Sequence, residues 1–320
     1  MTTNAAGQPA DGARSHRYRG RQDLPALLAF ASAATAQRAP RLATWHPGDI
    51  AWALKGVVDA PQANRVWLDD DGAAVLLAWF DGPGELLLEA LPSAEPLVAQ
   101  AVLWAEARWR ERAAGPAAEP CVLSVRAYED DAARIEALEG LGYRRAGPAG
   151  VSFRLRLDGA LPLAPPLPTG MRLRDCVGVD PERRAAAHRA AWNHLEHMGI
   201  DARSSFDTDL YRALSVLPPY DPALDILAEA ADGDYAASCI AWADAPSGVA
   251  VFEPVGTSLA FRGQRLASAV IGEALRRLQV RRLAEARVGT AHFNASAIAA
   301  YRSCGFALAG RSFWWSRLLA

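Results

Sequence analysis

The stretch FEPVGTSLAFRGQRLASAVIGEALRRL, Phe252 to Leu278, reads as the end of a strand, a turn, and then a long amphipathic helix. The strand is predicted over Val249 to Thr257 and the helix over Gly263 to Val280. Pro254 sits inside the strand and has no N–H to give to a ladder. It predicts a bulge or an edge, and with it a local splaying of the sheet. The start of a helix presents backbone N–H groups and partial positive charge, which suits a phosphate. Arg262 adds a full charge at that end.

Working outward from this segment, the second half of the chain falls into a regular order. Met171–Arg174 reads as a short strand, then Pro181–Trp192 and Asp207–Leu214 as helices. Leu224–Ala228 and Tyr235–Trp242 lead as strands into Val249–Thr257. After the long helix come a strand at Glu285–Gly289, a helix at Ala295–Cys304 and a strand at Ser312–Leu318.

The first half repeats that order. Helices are predicted at Asp23–Ala36 and Pro47–Lys55, then strands at Arg65–Leu68, Ala73–Phe80 and Glu85–Leu91. A long helix follows at Glu95–Ala113, then strand Cys121–Ala127, helix Asp130–Leu141 and strand Val151–Leu157. The match extends to residues. DDAARIEALEGLGY (Asp130–Tyr143) and FNASAIAAYRSCGF (Phe293–Phe306) both end a helix in Gly-aromatic, Gly142–Tyr143 and Gly305–Phe306. Glycine suits the left-handed cap of a helix, and the aromatic then enters the next strand. Shared element order and shared motif indicate a duplication. Between the halves, Leu157 to Gly170 is rich in proline and reads as a stiff extended linker.

Composition bounds the rest. With 51% hydrophobic and 22% charged residues, the chain buries enough apolar surface to fold, and disorder or a fibrous repeat is excluded. A net charge of −2 gives no polyanion-binding footprint, so no nucleic-acid partner is expected. Lys55 is the sole lysine, which removes a P-loop or Schiff-base lysine elsewhere. Cys121, Cys176, Cys239 and Cys304 form no CxxC pair, so no zinc ribbon or redox dithiol is indicated, and a cytoplasmic location is expected. Residues 1 to 20 lack the apolar centre of a signal peptide and read as a disordered lead. No apolar stretch reaches the length of a membrane span.

On these motifs the second half resembles the Gcn5-related N-acetyltransferase (GNAT) superfamily. The resemblance implies an α/β (α+β) class: two tandem GNAT folds, each a central, mostly antiparallel mixed sheet flanked by helices. The implied layout is a lead at 1–14, a degenerate GNAT-like domain at 15–158, a linker at 159–170 and an acyl-CoA-binding domain at 171–320. The family's acyl-CoA signature, Gln/Arg-x-x-Gly-x-Gly/Ala, falls on Arg262, Gly263, Gln264, Arg265, Leu266 and Ala267. The first and last positions fit. Arg265 stands where the family has the glycine that lets the backbone approach the pyrophosphate. It either obstructs the site, turns outward or contacts a phosphate itself.

The resemblance also implies roles. Tyr301, in Ala299–Ala300–Tyr301, is the candidate acid toward the departing CoA thiolate, and Asn294 the contact for the pantetheine arm. The amides of Val255, Gly256 and Thr257, just past Pro254, are the candidate oxyanion donors. Glu253 is the candidate base, best suited to that role if buried. His188, His194 and His197 are weaker base candidates, and His194-x-x-His197 lacks a third metal ligand, so no metal is expected. Cys304 reads as core rather than as an acyl carrier, as do most of Trp192, Tyr211, Tyr220, Trp242, Trp314 and Trp315. Glu196, Asp201, Asp207 and Asp209 read as solvated, with attraction of a cationic amine as the functional alternative.

The first half lacks this apparatus: shifted by the repeat offset of 163, Leu138 stands opposite Tyr301 and Asp131 opposite Asn294. The expectation is an enzyme that moves an acetyl group from acetyl-CoA to a small-molecule primary amine by direct attack, working as a monomer or homodimer without a membrane partner. A non-catalytic CoA-binding or scaffold protein, disabled by Arg265, is the alternative. Decarboxylation, or transfer of a longer acyl group, is a second rival within the same fold.

Overall fold

The computed structural model describes residues 14–39, 41–59, 64–113, 121–195 and 203–319. Two compact units form, and each draws on both halves of the chain. The first comprises residues up to Trp45, Val58–Ala149 and the chain from Arg311 onward; the second comprises His46–Val57 and Gly150–Gly310.

In the first unit the strands β1 (Arg14–Arg17), β2 (Arg65–Leu68), β3 (Ala74–Gly82), β4 (Glu85–Ala90), β5 (Val122–Tyr128) and β12 (Ala307–Leu318) lie side by side in that order. All neighbours are antiparallel except β4 and β5. The helices are α1 (Leu24–Gln37), α3 (Val98–Ala113) and α4 (Ala132–Gly140). Val98, Ala101, Val102 and Ala105 recur every three or four residues, so one stripe of α3 faces the core made by Trp67, Leu76, Leu86 and Leu88.

The second unit orders its strands β6 (Arg144–Arg156, from Gly150 on), β11 (Glu285–Ala291), β10 (Val249–Thr257), β9 (Tyr235–Asp244), β8 (Asp225–Glu229) and β7 (Arg172–Asp175). Here only β10 and β11 run parallel. Its helices are α2 (Pro47–Leu54), α5 (Pro181–Trp192), α6 (Thr208–Ser215), α7 (Leu266–Val280) and α8 (Ala295–Ser303). On α7, Val270, Ile271, Ala274, Leu275 and Leu278 are buried against Phe252 and the sheet. Each large apolar side chain of that stripe contributes roughly 1.5–3 kcal/mol. The class is the mixed α/β expected.

The repeat holds at the level of single hydrogen bonds. Asp131 caps α4 by accepting from the Arg134 amide, and Asn294 caps α8 by accepting from the Ala297 amide. At the other end Tyr143 N donates to Leu138 O at 2.9 Å, and Phe306 N donates to Tyr301 O at 3.1 Å. Gly142 (φ 83°) and Gly305 (φ 88°) take the left-handed conformation that closes both helices.

Three features depart from the sequence reading. Arg14–Arg17, assigned to a disordered lead, pairs with β2 from Arg14↔Leu68 to Arg17↔Arg65. Its residues RSHR carry no apolar alternation, as suits a charged edge strand. The helix α7 begins at Leu266 rather than Gly263, because Gly263 (φ 79°) and Arg265 (φ 60°) both hold left-handed backbone. The units also do not follow the two halves. Residues 150–156 of β6, at the end of the first half, pair with β11, from Glu285↔Arg156 to Ala291↔Gly150. Residues 312–318 of β12, at the end of the second half, pair with β5, from Ser312↔Tyr128 to Leu318↔Val122. The closing strand of each half thus completes the sheet of the other unit. Alternation fixes which face a strand buries, not which neighbour it takes.

The linker after β6 has no regular structure at residues 159–168. It is docked on the second unit all the same: Gln279 Nε2 donates to Leu157 O at 2.9 Å and Gly159 O at 2.8 Å. A Cβ at Gly305 would lie 2.7 Å from Pro162 Cγ, so glycine serves both the helix cap and the passage of the linker.

Candidate active site

β10 pairs with β11 only from Val249↔Glu285 to Phe252↔Val288. From Glu253 on, the two strands part. On its other side β10 shifts register against β9, with Phe252 opposite Ala241 and Val255 opposite Cys239. Glu253 and Pro254 therefore face the single residue Ile240, which is the bulge that Pro254 predicts. β11 continues beyond the parting, paired with β6 alone. A cleft between two parallel strands results, beginning where the β10–β11 ladder ends at Phe252↔Val288.

The start of α7 carries uncapped backbone N–H groups beside two arginines, Arg262 and Arg265. Arg265 occupies the position before α7 with left-handed backbone, and no side chain caps the helix among the described residues. Gly263, Gln264 and Arg265 are exposed, while Leu266 is buried in the core and offers only its amide. Ala267 is half-buried. The conformation at Arg265 (φ 60°) is the one glycine adopts without strain. Arg262 is partly committed to the protein: Nη2 donates to Ala191 O at 3.2 Å and Nε to Thr257 O at 3.4 Å. It ties the end of α5 to the end of β10.

Asn294 is also committed. Its Oδ1 accepts from Ala297 N at 3.1 Å and its Nδ2 donates to Thr290 Oγ1 at 3.0 Å. Tyr301, about two turns further along α8, is buried beside Phe153 and Phe306. Burial first, and the Glu253 carboxylate second, push its hydroxyl well above the ordinary tyrosine value. The phenol therefore stays protonated at any working pH. Glu253 itself is exposed.

Around the bulge the second unit packs aromatic side chains. A Cβ at Gly256 would lie 2.1 Å from the Trp192 ring, so glycine lets the indole lie on β10. Trp192 in turn stacks on His188, with ring centroids 4.3 Å apart and planes within 7°. Burial, then Arg184, Lys55 and Arg189, lower the His188 pKa to about 3. His188 is thus neutral, with Nδ1 3.0 Å from Ser204 Oγ. Asp207 caps α6 and Asp209 pairs with Arg212 at 3.2 Å, which accounts for two of the carboxylates. Cys304 is buried with Sγ 3.7 Å from Ser268 O. Glu196, His197 and Asp201 lie outside the described residues. Among the described residues, no three His, Cys, Asp or Glu side chains come together as a metal group, and no helix is long and apolar enough to cross a membrane.

The first unit has the same parting of strands and closes it. β4 and β5 pair at Glu85↔Ser124 and Leu86↔Val125 and then separate. Arg134, on α4, reaches into that gap: Nη1 donates to Leu88 O on β4 at 2.7 Å and to Arg126 O on β5 at 3.4 Å. Glu89 and Asp131 neutralise it at 3.5 and 3.1 Å, and Arg38 joins both carboxylates at 3.3 and 2.5 Å. All four side chains are buried. Burial pushes the Asp131 carboxyl up, but the two arginines outweigh it and hold it below the usual range. In the second unit the residue at the Arg134 position is Ala297, whose methyl group has no reach across the two strands as the Arg134 guanidinium does. The offset of 163 contained that comparison, yet only the geometry gives it meaning.

Fold and cleft agree with the comparisons. Residues 192–306 match the acetyltransferase (GNAT) family. A GCN5-related N-acetyltransferase from Sphaerobacter thermophilus is 21% identical, with TM-score 0.60 over 95% of each chain. A tandem GNAT protein from the clavulanic acid biosynthesis pathway is 17% identical, with TM-score 0.62 over 96% of this chain and 98% of that one. An acetyltransferase from the GNAT family of Colwellia psychrerythraea is 12% identical, with TM-score 0.54 over 95% of this chain and 99% of that one. No curated protein matches. Residues 192–306 in the second half thus carry the family match, and nearly the whole chain shares the fold of tandem GNAT proteins.

Proposed function

We propose that this chain is an N-acyltransferase whose second unit moves an acetyl group from acetyl-CoA to the primary amine of a small molecule in the cytoplasm. The observation that carries the reading is the open cleft between β10 and β11, in contrast to the arginine-filled gap of the first unit. The fit to acetyl-CoA rests on the uncapped start of α7, the parting of β10 from β11 after Phe252 and the small Ala297. The amides from Gly263 to Ala267, aided by the Arg265 and Arg262 charges, hold the pyrophosphate.

The chain's own groups then divide the chemistry. Glu253, exposed on the bulge, removes the proton of the attacking amine, directly or through water. Backbone amides within Val255–Thr257 hold the carbonyl oxygen as it gains charge. The amine nitrogen bonds to the carbonyl carbon, the carbon–sulfur bond breaks, and Tyr301 supplies a hydrogen bond or proton to the sulfur. A thiol has a pKa of about 8.5. With its own proton held more tightly than that, Tyr301 works first as a hydrogen-bond donor. Direct attack needs no acyl carrier, and the buried Cys304 serves as none. The reaction needs neither metal, nucleic acid nor membrane, and a monomer or homodimer accommodates it.

Calorimetric titration with acetyl-CoA and with CoA, followed by thiol release on an amine panel, tests the reading. One binding site and amine-dependent release are expected. Binding without release on any amine favours the CoA-binding protein that Arg265 suggests, and two sites overturn the assignment of the cleft to one unit.

A further inference from the structure

The carbonyl of Glu253 leaves the β9–β10 ladder at the bulge, because two residues there face the single Ile240. It is caught from β9: Trp242 Nε1 donates to Glu253 O at 2.5 Å. A side chain thus replaces the backbone bond that the bulge removes.

The indole is held in place from two further sides. A Cβ at Gly48, in α2, would lie 2.3 Å from Trp242 Cγ and 2.4 Å from its Cβ, so only glycine lets α2 press on the ring. The Tyr220 ring meets the indole edge-on at 6.0 Å. Tyr220 is fixed in turn, donating to Asp225 Oδ2 at 3.0 Å and lying 2.8 Å from the Tyr211 hydroxyl. Asp225 is locked by Arg184 Nε at 2.9 and 3.0 Å, with both side chains fully buried. The ring itself is fully buried.

We infer that Trp242 is a positioning residue for acyl transfer: its indole N–H fixes the Glu253 carbonyl and so aims the Val255–Thr257 amides at the thioester. The inference rests on the acyltransferase reading above. A rotation of the Glu253 peptide turns the donors that follow it, and misplaced donors cost rate rather than donor affinity. CoA without an acetyl group has no thioester carbonyl, so its binding is indifferent to Trp242.

The test uses the full chain and acetyl-CoA labelled with ¹³C at the thioester carbonyl. In the unsubstituted protein the bound carbonyl stretch shifts to lower frequency than in free acetyl-CoA. Trp242→Phe keeps the bulk and loses the N–H. It should lose most of that shift and roughly 10²-fold in kcat, with KM for acetyl-CoA and the Kd for CoA nearly unchanged. Trp242→His, which restores a ring N–H, should recover part of both. An unaltered band with unaltered kcat in Trp242→Phe overturns the inference. Should that variant not fold, the unsubstituted chain decides: the Trp242 indole ¹⁵N–¹H resonance should move when acetyl-CoA replaces CoA, and a stationary resonance overturns the role. Failure of the unsubstituted chain to bind acetyl-CoA is a separate result, which removes the acyltransferase reading and this inference with it.

Discussion

Arg134 in α4 and Ala297 in α8 hold the same position of their helices, three residues after the capping side chains Asp131 and Asn294. One fills the gap between two parallel strands, and the methyl group of the other has no reach across them. A single side chain therefore distinguishes the equivalent strand gaps of the two units.

Arg134→Ala is expected to destabilise the protein rather than to create a second site. It leaves Glu89 and Asp131 buried with only Arg38 to neutralise them. Breaking a buried ion pair by removing one partner costs about 3–5 kcal/mol. Denaturant unfolding should show a loss of that order, and calorimetry should still count one acetyl-CoA site.

Arg265→Gly relieves a non-glycine residue at φ 60°. A left-handed residue costs roughly 1–2 kcal/mol, part of which glycine returns as lost chain entropy. A net gain of about 0.5–1 kcal/mol is expected in thermal unfolding. If the exposed guanidinium contacts the pyrophosphate, the affinity for CoA falls in the same variant. A rise instead shows that it obstructs the turn.

Tyr301→Phe should lower kcat by about 10²-fold, the lower end for a positioned proton donor. Because the hydroxyl makes no hydrogen bond to any described residue, the substitution should leave the melting temperature almost unmoved. Full turnover in the variant would remove Tyr301 from the reaction.

Acid should destabilise the second unit through two buried histidines. Burial lowers His46 to about 4, against the pull of Asp244. Its Nδ1 accepts from Gly48 N at 3.0 Å, which places the proton on Nε2, 3.3 Å from Val249 O. His188 is lowered to about 3. Both rings stay neutral in the folded chain at a pH where the unfolded chain binds the proton. Stability is therefore complete above about 6.5 and falls as pH drops toward the folded values, by roughly 1.4 kcal/mol per pH unit for each histidine. His46→Asn keeps a capping acceptor and removes one titration. The slope of unfolding free energy between pH 6 and 4 should fall by about half, and an unchanged slope would mean that His46 is not neutral when folded.

Much of this architecture is legible in the sequence, for identifiable reasons. The strands Arg65–Leu68 and Val249–Thr257 and the helix Pro181–Trp192 keep their predicted bounds, because strong apolar patterns end at turn residues or a capped start. Pro254 marks the bulge and Gly142 and Gly305 mark the repeat, since each residue type has few conformations to choose from. The exchanged strands are not legible: β6 and β12 begin seven and five residues earlier than their apolar pattern, through Gly147, Pro148, Gly150 and Gly310. Nor is the role of Trp242, since a buried indole and a hydrogen-bonded one read alike. Arg262 and Asn294 carry family signatures, but their bonds to Ala191, Thr257, Thr290 and Ala297 show structural duties that no motif states.

The exchange of final strands sets the order in which the protein can be completed. A ribosome that has made every residue of the first half has not yet supplied β5 with its β12 neighbour, residues 311–318. The first unit lacks that neighbour until residues 312–318 are made, after β7 to β11 of the second unit. Neither half, cut at the linker and expressed alone, contains a full set of strands for either unit. Loss of residues 312–318 should therefore damage the unit whose other strands are encoded first.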